Sequence, residues 1–336
     1  MSIDQLESIA QAMVAAGKGI IAIDESNATI KKRFDGVGVE NSEEHRRAYR
    51  EMLLTTPRLG EHISGAILYD ETLRQSTKAG VPFTKVMLDN GILPGIKVDK
   101  GPQPLAGFPG ELVTEGLDGL RERLKEYAAL GAKFAKWRAV ITIGEDMPSS
   151  TCIDANCHAL ARYAALCQEA GIVPMVEPEV LMDGSHDIEV CYDVTEVTLR
   201  SLFASLYEHN VMLEGTILKA SMVIAGKDCP EQAAVEEVAE ATVRCLKASV
   251  PASLPGIVFL SGGQSDEQAT AHLNAMNQMG PHPWPLSFSY GRAMQSAALK
   301  LWAKDMKANF AEAQKTVAAR ARDNGLAALG QRKKSA

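Results

Sequence analysis

Short apolar runs rich in β-branched residues alternate along the chain with longer amphipathic segments. In the longer segments apolar residues recur three and four positions apart among Glu, Lys and Arg, which is the spacing of one helix face. The short runs predict eight strands, at Ile20–Asp24, Gly65–Tyr69, Gly95–Asp99, Phe134–Val140, Val173–Glu177, Thr216–Ala220, Gly256–Leu260 and Leu286–Tyr290. The long segments predict helices at Glu43–Leu54, Leu117–Leu130, Ala155–Ala170, Ile188–His209, Gln232–Ala248 and Asp266–Gln278. A short helix is predicted at Phe83–Asn90, closed by Asn90-Gly91 as a left-handed cap.

Strands that alternate with helices predict βαβ units and parallel strands. The chain has 336 residues, so eight units average 336/8 = 42 residues each, a spacing that suits a (β/α)8 TIM barrel. An open doubly wound sheet is the alternative, but it would be expected to carry a G-x-G-x-x-G turn after an early strand, and none follows one. The fold class is therefore predicted as an α/β TIM barrel.

No linker, repeat or low-complexity block divides the sequence, which predicts a single domain over residues 1–336. The barrel is expected at about 17–300. A long helical tract rich in Ala, Lys and Glu follows the last strand from Arg292 to Gly325, so a C-terminal helix and tail are expected at about 301–336.

The composition is that of a soluble globular protein, with 46% hydrophobic and 23% charged residues. A net charge of −7 argues against nucleic acid as the main partner, and the basic run Arg332-Lys333-Lys334 is interpreted as a solvated tail end. Asp4 and Glu7 stand where a signal peptide needs positive charge, and no apolar run approaches the ~20 residues that cross a bilayer. No membrane association is expected.

The cysteines and histidines do not show the spacing of a metal site. Six cysteines without a CxxC pair are interpreted as reduced thiols of a cytoplasmic protein, and the seven histidines form no HExxH motif. The expectation is an enzyme without metal or cofactor.

Ionisable residues stand repeatedly at the ends of the predicted strands. In a barrel, reactive groups gather at the carboxyl ends of the strands. Each residue alone has an ordinary explanation: Asp24 or Ser26 could cap a helix, and Lys136 could extend to a strand edge. Together, several costly buried ions in one mouth indicate a common site. The residues concerned are Asp24, Lys97, Asp99, Lys136, Arg138, Glu177, Glu179 and Lys219.

The last two predicted strands end in a different chemistry. The seventh leads through Ser261-Gly-Gly-Gln-Ser265 into a helix, and the eighth leads through Tyr290-Gly-Arg292 into another. Glycines allow backbone N–H groups to approach an anion, helix starts carry partial positive charge, and Arg292 adds a fork of donors. A single Ser-Gly-Gly could be a simple turn, but the pair at consecutive strand ends predicts a phosphate site.

The same segments resemble those of the class I (Schiff-base) fructose-1,6-bisphosphate aldolases, in the family's order and from about Gly17 to about Arg322. The similar segments are Gly17-Lys-Gly-Ile-Ile-Ala-Ile-Asp24-Glu-Ser26, Gly95-Ile-Lys97-Val-Asp-Lys-Gly101, Pro104-Leu-Ala-Gly107, Phe134-Ala-Lys136-Trp-Arg138, Val176-Glu177-Pro-Glu179, Leu213-Glu-Gly-Thr-Ile-Leu-Lys219, Leu260-Ser-Gly-Gly-Gln-Ser265 and Phe288-Ser-Tyr-Gly-Arg292.

The resemblance implies a metal-independent lyase of glycolysis and gluconeogenesis that reversibly cleaves fructose 1,6-bisphosphate to dihydroxyacetone phosphate and glyceraldehyde 3-phosphate. It implies that Lys219 is the Schiff-base nucleophile, that Glu177 is the acid/base helped by Glu179 and Lys136, and that Asp24 takes the C4 hydroxyl proton. Lys136 is also hypothesised to be the cation beside Lys219 that favours its free amine. The resemblance places the substrate phosphates at Ser261, Gly262, Gly291 and Arg292, and at Ser26, Thr29, Arg33, Lys97 and Arg138. It also implies a cytoplasmic homotetramer.

The chain departs from the family pattern at several points. Thr29 stands where many members have serine, and Ala220-Ser221 stands where the animal enzymes have Pro-Asn. The animal enzymes end in a tyrosine that exchanges protons with the enamine, whereas this chain ends in Ser335-Ala336. The candidate donors for that step are Glu179, Tyr290 or a water.

Other readings remain open from the sequence. The substrate could be another phosphosugar such as sedoheptulose 1,7-bisphosphate, or the barrel could be a non-catalytic phosphate-binding scaffold. Two phosphate sites disfavour transaldolase and deoxyribose-phosphate aldolase. A zinc-dependent aldolase would need a histidine cluster that the sequence lacks.

Overall fold

The computed structural model describes residues 3–333. Ten strands are present in this part of the chain: β1 Gly19–Ile23, β2 Ile63–Leu68, β3 Leu93–Lys97, β4 Gly101–Pro104, β5 Leu112–Glu115, β6 Phe134–Ile141, β7 Val173–Val180, β8 Ile217–Ala220, β9 Ile257–Phe259 and β10 Leu286–Tyr290. The helices there are α1 Ile3–Met13, α2 Asn27–Asp35, α3 Glu43–Leu54, α4 Asp70–Arg74, α5 Phe83–Asp89, α6 Leu120–Ala129, α7 Ser150–Glu169, α8 Ile188–Glu208, α9 Val235–Ser249, α10 Asp266–Gln278, α11 Arg292–Lys304 and α12 Phe310–Ala328.

Eight of the strands close into a barrel in the order β1-β10-β9-β8-β7-β6-β3-β2, and every neighbouring pair is parallel. These strands correspond one to one to the eight predicted from the sequence. The predicted TIM barrel is thereby confirmed. That residues 1–336 form a single domain stays a prediction, and its ends, residues 1–2 and 334–336, lie outside the described part.

The interior of the barrel is filled from alternate positions of the strands. Ile20, Phe134, Met175 and Ile217 pack with one another in an inner apolar cluster, together with Ala10 of α1. The intervening strand residues face the surrounding helices in a larger outer cluster. Side chains alternate between the two faces of a strand, so the inward positions of these apolar residues also decide which polar residues face inward nearer the carboxyl ends of the strands.

A bulky interior residue explains one glycine of the barrel. A Cβ atom at position 95 would lie 2.2 Å from the ring of Phe134, so β3 passes the Phe134 ring only as Gly95. Because position 95 has no side chain, β3 packs closely against β6, and the pairing of the two strands places Lys97 in register with Lys136.

Some elements were not predicted. The N-terminal helix α1 is one of them, and its Leu6, Ala10 and Met13 close the amino end of the barrel against the inner cluster. Helices α2 and α4 and the antiparallel hairpin of β4 and β5 were also missed. These elements are short or lie outside the strand–helix alternation, so the periodicity of the chain gives little signal for them.

The predicted helical tract from Arg292 to Gly325 is present and consists of two helices, α11 and α12. Asp305 has extended backbone dihedrals, φ −159° and ψ 102°. Its carboxylate accepts hydrogen bonds from the backbone N–H groups of Lys307 and Ala308, at 3.0 and 2.8 Å. An aspartate that binds nearby backbone N–H groups competes with the helix, which explains the break.

The interpretation of Arg332-Lys333-Lys334 as a solvated tail end is wrong for Arg332. Its backbone N–H donates to Asn274 Oδ1 at 2.9 Å, and its guanidinium donates to Asp323 at 2.9 Å. The side chain is only 12% exposed. The acidic residues of α10 and α12 therefore hold it against the body, whereas Lys333 is exposed and Lys334 lies outside the described residues.

Candidate active site

Four charged side chains, three on strands β6, β7 and β8 and one directly after β1, meet inside the barrel towards its carboxyl end. On β6, Phe134 is in the inner cluster and Lys136 follows two positions later; on β8, Ile217 and Lys219 are related in the same way. The same step of two leads from Met175 to Glu177 on β7 and from Ala22 to Asp24 at the end of β1. Each charge therefore points into the barrel, directly above an apolar residue.

Glu177 is the centre of this charged cluster, which consists of Asp24, Lys136, Glu177 and Lys219. One of its oxygens lies 2.9 Å from Lys219 Nζ and the other lies 2.9 Å from Lys136 Nζ. Lys136 Nζ also donates to Asp24 Oδ2 at 3.1 Å. The side chains of Glu177, Lys136 and Lys219 are no more than 5% exposed. The hypothesis that Lys136 is a cation beside Lys219 agrees with this placement, since the same carboxylate binds both.

Contacts within the cluster shift the pKa values of Asp24, Glu177 and Lys136. Burial would raise the pKa of Asp24, but the ammonium groups of Lys136 and Lys219 outweigh it and hold that pKa well below its usual range. Burial likewise acts to raise the pKa of Glu177, and Lys136, Lys219 and Arg138 bring it below the ordinary value. For Lys136, burial would lower the pKa, yet Asp24 and Glu177 raise it above the ordinary value. Both carboxylates are therefore ionised and Lys136 is charged at neutral pH.

Arg138 and Glu179 extend the cluster one step towards solvent. Each lies two positions beyond a cluster residue on its strand, and Arg138 Nε donates to Glu179 Oε2 in an ion pair. The backbone N–H of Arg138 donates to Asp99 Oδ2 at 3.2 Å. Arg138 is 37% exposed at its side chain, so its remaining guanidinium donors face the mouth.

On the opposite side of the mouth, the chain after β9 and β10 forms a backbone cradle of Ser261, Gly262, Gly291 and Arg292. Gly262 and its neighbour Gly263 have φ angles of 57° and 97°, the left-handed region that glycine adopts without strain. Helix α10 begins after Ser265, whose side chain forms a capping box with Gln268, and α11 begins at Arg292. Two helix starts therefore point towards the cradle, which favours an anion.

A buried histidine supports the loop of this cradle. His272 of α10 lies with Nδ1 2.6 Å from Gln264 Oε1, and Gln264 Nε2 is 3.6 Å from Met222 Sδ. Burial lowers the pKa of His272 to about 4, so the ring is neutral at physiological pH. The side chain of Gln264 is thus held from α10 and from the segment after β8.

The charged cluster and the cradle line one cavity of about 160 Å³. Eleven of the predicted site residues line it, namely Asp24, Arg33, Lys136, Arg138, Glu177, Glu179, Lys219, Ser261, Gly262, Gly291 and Arg292. Carboxylates and lysines at the bottom and arginines at the rim are the groups needed to move protons and to hold anionic ends of a substrate.

Comparison with known proteins shows which family combines these features. The model of the family described as fructose-bisphosphate aldolase class-I matches residues 5–336. A probable fructose-bisphosphate aldolase class 1 from Xanthomonas campestris pv. campestris is 76% identical over 330 residues, covering 98% of this chain and 99% of the relative. A cytosolic fructose-bisphosphate aldolase from Arabidopsis thaliana is 54% identical over 315 residues, covering 94% of this chain and 80% of the relative.

A solved structure agrees with these relatives. It is fructose-bisphosphate aldolase from Plasmodium falciparum in complex with TRAP and a small-molecule inhibitor, with a TM-score of 0.97 and 49% sequence identity. The superposition covers 99% of this chain and 96% of that one. The chain belongs to the class-I fructose-bisphosphate aldolase family. Membership confirms the predicted activity, a lyase that cleaves fructose bisphosphate.

Three predicted site residues of this aldolase do not line the cavity. Ser26 caps α2, with its hydroxyl oxygen 3.4 Å from the backbone nitrogen of Thr29 and 3.1 Å from the Thr29 hydroxyl. Lys97 lies in register with Lys136, but its Nζ is bound to Asp99 Oδ1 at 2.7 Å. The Ser26 hydroxyl therefore caps α2, which was the ordinary explanation of Ser26, and the Thr29 hydroxyl contacts that cap. Lys97 is paired to one side of the cavity.

Tyr290, one of the three candidate donors to the enamine, does not line the aldolase cavity. Its hydroxyl donates to the backbone carbonyl of Ala269 at 2.8 Å, and the side chain is fully buried against α10. Burial raises its pKa far above the ordinary value, so it stays a neutral phenol. In this position Tyr290 cannot reach the cavity as a proton donor, whereas Glu179, another candidate, lines the cavity.

The sequence prediction missed Glu25, which follows Asp24 and lines the cavity. Its buried carboxylate pairs with Arg33 and accepts hydrogen bonds from Arg50 Nη2 and Gln295 Nε2, both at 2.7 Å. Glu25 thereby holds Arg33 at the rim. Its place beside Asp24 at a strand end was a usable signal, but its partners come from three different helices, α2, α3 and α11, and lie 8, 25 and 270 positions away in sequence.

Within the Ala220-Ser221 pair at the end of β8, Ser221 has a structural role. Ser221 is buried, and its hydroxyl donates to the backbone carbonyl of Val180 at 3.0 Å. It joins the ends of β7 and β8 just beyond Glu179 and Lys219. The strand ends that carry the two reactive residues are therefore fixed to each other.

Further observations concern metal, thiols and membranes. Within residues 3–333 no three His, Cys, Asp or Glu side chains are arranged to hold a metal ion. All six cysteines are free thiols, five of them buried and Cys229 half-buried. No helix in the same range combines the length and the apolar character needed to cross a membrane.

Proposed function

We propose that Lys219 is the residue that attacks the C2 ketone of fructose 1,6-bisphosphate to form the Schiff base. The observation that carries this assignment is the buried Lys219 Nζ, 2.9 Å from Glu177 Oε1, at the bottom of a cavity with three arginines at its rim. The rim arginines are Arg33, Arg138 and Arg292. An ammonium beside an ionised carboxylate can lose its proton to that carboxylate without passing it to bulk water.

Glu177 serves as the acid and base of Schiff-base formation. It first takes a proton from Lys219, and the free amine then adds to the ketone to give a carbinolamine. The protonated Glu177 next donates to the carbinolamine hydroxyl, which leaves as water and creates the iminium. Lys136, bound to the other oxygen of Glu177, stabilises the carboxylate form and so restores the proton acceptor.

Asp24 takes the C4 hydroxyl proton as the C3–C4 bond breaks. The electron pair of that bond moves into the iminium, which becomes a neutral enamine, and glyceraldehyde 3-phosphate leaves. The positive charge at position 219 contributes to the low pKa of Asp24. Because cleavage removes that charge, the affinity of Asp24 for a proton rises at the step in which it receives one. Proton return to the enamine and hydrolysis then release dihydroxyacetone phosphate.

The two phosphates orient the bond to be broken. Ser261, Gly262, Gly291 and Arg292 hold the 1-phosphate, and Arg33 and Arg138 hold the other end of the chain. The resemblance assigned three further residues to the 6-phosphate, namely Ser26, Thr29 and Lys97. Since these residues lie beside the cavity, we assign them to supporting the residues that hold that phosphate. Binding energy at both ends can be used to align C3–C4 between Lys219 and Asp24.

The proposal includes a cytoplasmic homotetramer. The Arabidopsis relative is named cytosolic. On α8, Val190 and Val197 lie seven positions apart on one helix face and are 41% and 49% exposed, so this face offers apolar side chains to another subunit. Sedimentation analysis at micromolar concentration should give four times the mass of the 36.1 kDa chain.

The test of the site is borohydride reduction in the presence of dihydroxyacetone phosphate, followed by peptide mass mapping. The expected adduct is on Lys219, and EDTA should leave turnover unchanged. An adduct on Lys136 or on a surface lysine instead would contradict the assignment. The ratio of kcat/KM for fructose 1,6-bisphosphate to that for sedoheptulose 1,7-bisphosphate decides which is the preferred substrate.

A further inference from the structure

Arg320 lies on α12, outside the cavity, yet it contacts both helices that begin at the cradle. Its side chain is 13% exposed, in the angle between α10, α11 and α12. Nε donates to the backbone carbonyl of Ala293 at 3.2 Å, in the first turn of α11. Nη2 donates to the carbonyl of Asp266, the first residue of α10, at 3.0 Å and to the Thr270 hydroxyl at 2.8 Å.

The residues that Arg320 binds are adjacent in sequence to the cradle. Ala293 directly follows Arg292, and Asp266 directly follows the capping residue Ser265 at the end of the glycine loop. A change in the separation or tilt of these two first turns would move the backbone N–H groups and the guanidinium that face the phosphate. One planar side chain therefore links the two halves of the cradle from behind.

The Arg320 guanidinium is itself held in one orientation. Nη1 lies 3.2 Å from Asp323 Oδ2 on its own helix and 3.4 Å from Glu267 Oε1 on α10, so its charge is balanced by carboxylates of α12 and α10. The Thr270 hydroxyl that accepts from Arg320 also lies 2.7 Å from Oδ1 of the fully buried Asn324. These contacts use donors on all three guanidinium nitrogens, which a lysine could not reproduce.

We propose that Arg320 is a positioning residue that fixes the distance between the starts of α10 and α11, and thereby sets the affinity of the cradle for the substrate phosphate. The inference rests on the proposed role of Ser261, Gly262, Gly291 and Arg292 in phosphate binding. Arg320 does not touch the substrate. It acts through the helix starts that do.

The test compares Arg320→Met and Arg320→Lys with Arg322→Met as the matched control. Arg322 is on the same helix and exposed, so its loss changes charge alone. For Arg320→Met, we expect the KM for fructose 1,6-bisphosphate and the inhibition constant of inorganic phosphate both to rise about tenfold, since small misplacement of binding groups is costly. Arg320→Lys should show a smaller rise, and kcat should change less than KM. Arg322→Met should match the parent enzyme.

A purely structural role predicts a different result. It would reduce the fraction of active enzyme and the melting temperature, with KM and the phosphate inhibition constant unchanged in the active remainder. That result in Arg320→Met would overturn the proposal. If Arg320→Met does not fold, Arg320→Lys carries the same test, and wild-type phosphate affinity in that variant would also overturn it.

A double mutant separates this inference from the cradle assignment on which it rests. If Arg320 acts through the cradle, its substitution should cost much less phosphate affinity in an Arg292→Ala background than in the parent. If the losses of phosphate affinity from the two substitutions simply add, the inference about Arg320 is contradicted, but the assignment of the cradle is not affected. Unchanged phosphate affinity in Arg292→Ala alone would instead contradict the cradle assignment itself.

Discussion

The charged cluster and the cradle face each other across one cavity, but different interactions place them. Lys136, Glu177 and Lys219 are side chains on the adjacent strands β6, β7 and β8, and Asp24 directly follows β1 across the barrel. Each of the four is held by a buried ion pair with another member. The cradle consists mainly of backbone at two helix starts, held by a capping box, by His272 and Gln264, and by hydrogen bonds from α12. The cluster depends on charge balance, whereas the cradle depends on where helices lie.

This difference predicts two kinds of damage. Loss of one ion from the cluster leaves an unpaired buried charge, so chemistry, stability and pH dependence change together. Loss of a cradle contact weakens the binding of an anion at a partly exposed rim, so KM should change with little effect on the fold.

The largest effect is expected from Lys219→Met. The variant keeps the size of the side chain but cannot form a Schiff base, so kcat should fall by several orders of magnitude, as when other enzymes lose their nucleophile. Equilibrium binding of fructose 1,6-bisphosphate should remain measurable because both rims are intact. Lys227→Met is the control, since Lys227 is 53% exposed and pairs with Asp183 outside the cavity. Full turnover in Lys219→Met would contradict the proposed mechanism.

Lys136→Met should damage chemistry and fold together. The variant leaves Asp24 without its bonded cation and Glu177 with one cation instead of two, so their pKa values should rise and the acid limb of the pH–rate profile should move to higher pH. Breaking a buried pair costs roughly 3–5 kcal/mol of unfolding free energy.

The stability deficit of Lys136→Met should depend on pH in a defined direction. Carboxylates with a depressed folded pKa contribute stability above their unfolded pKa of about 4 and lose it as the pH falls, so the deficit should be largest at neutral pH and narrow in acid. Urea unfolding at several pH values measures this. Lys125→Met, at an exposed ion pair with Glu122, should cost little at any pH. An equal deficit at every pH would show that packing, not charge, holds the cluster.

Arg292→Ala should affect the cradle alone. Charge-assisted hydrogen bonds are worth about 1.5–3 kcal/mol, which corresponds to a KM higher by roughly 10- to 100-fold for fructose 1,6-bisphosphate. Thermal unfolding should be close to that of the parent. Arg200→Ala on the exposed face of α8 is the matched control and should leave KM unchanged. A large loss of stability in Arg292→Ala would erase the contrast between the two regions.

The smallest effect on turnover at neutral pH is expected from His272→Asn, which retains a donor for Gln264. In the parent, burial lowers the pKa of His272 from 6.5 to about 4. Between pH 6.5 and pH 4 the unfolded chain therefore binds a proton at His272 that the folded chain does not bind. The free energy of unfolding should fall by about 3 kcal/mol in total as the pH drops through this range. In denaturant titrations, the free energy of unfolding of His272→Asn should fall less than that of the parent between pH 6.5 and pH 4. Identical pH dependence in both proteins would show that His272 titrates normally.

The site could be predicted in part because its chemistry follows strand periodicity. A step of two from Ile20 and Ala22 leads to Asp24, and the same step leads from Met175 to Glu177 and from Ile217 to Lys219. An inward apolar residue therefore already places the next charge inward, and this needs no knowledge of the neighbours. Ser26 and Thr29 were assigned to the 6-phosphate by the family resemblance alone; the residues themselves indicated only that Ser26 could cap a helix.

The sequence by itself determined the eight strands, the faces of their side chains and the glycine turns before α10 and α11, because these are local consequences of period and residue type. Only the tertiary structure decided which carboxylate oxygen meets which lysine, how Glu25 holds Arg33, and that Arg320 links two helix starts. Most of those contacts join residues far apart in the chain, and all of them depend on how the strands and helices pack around the barrel. Local pattern predicts that a barrel forms but gives no distances between side chains of different strands, so the pairing of charges had to come from the fold.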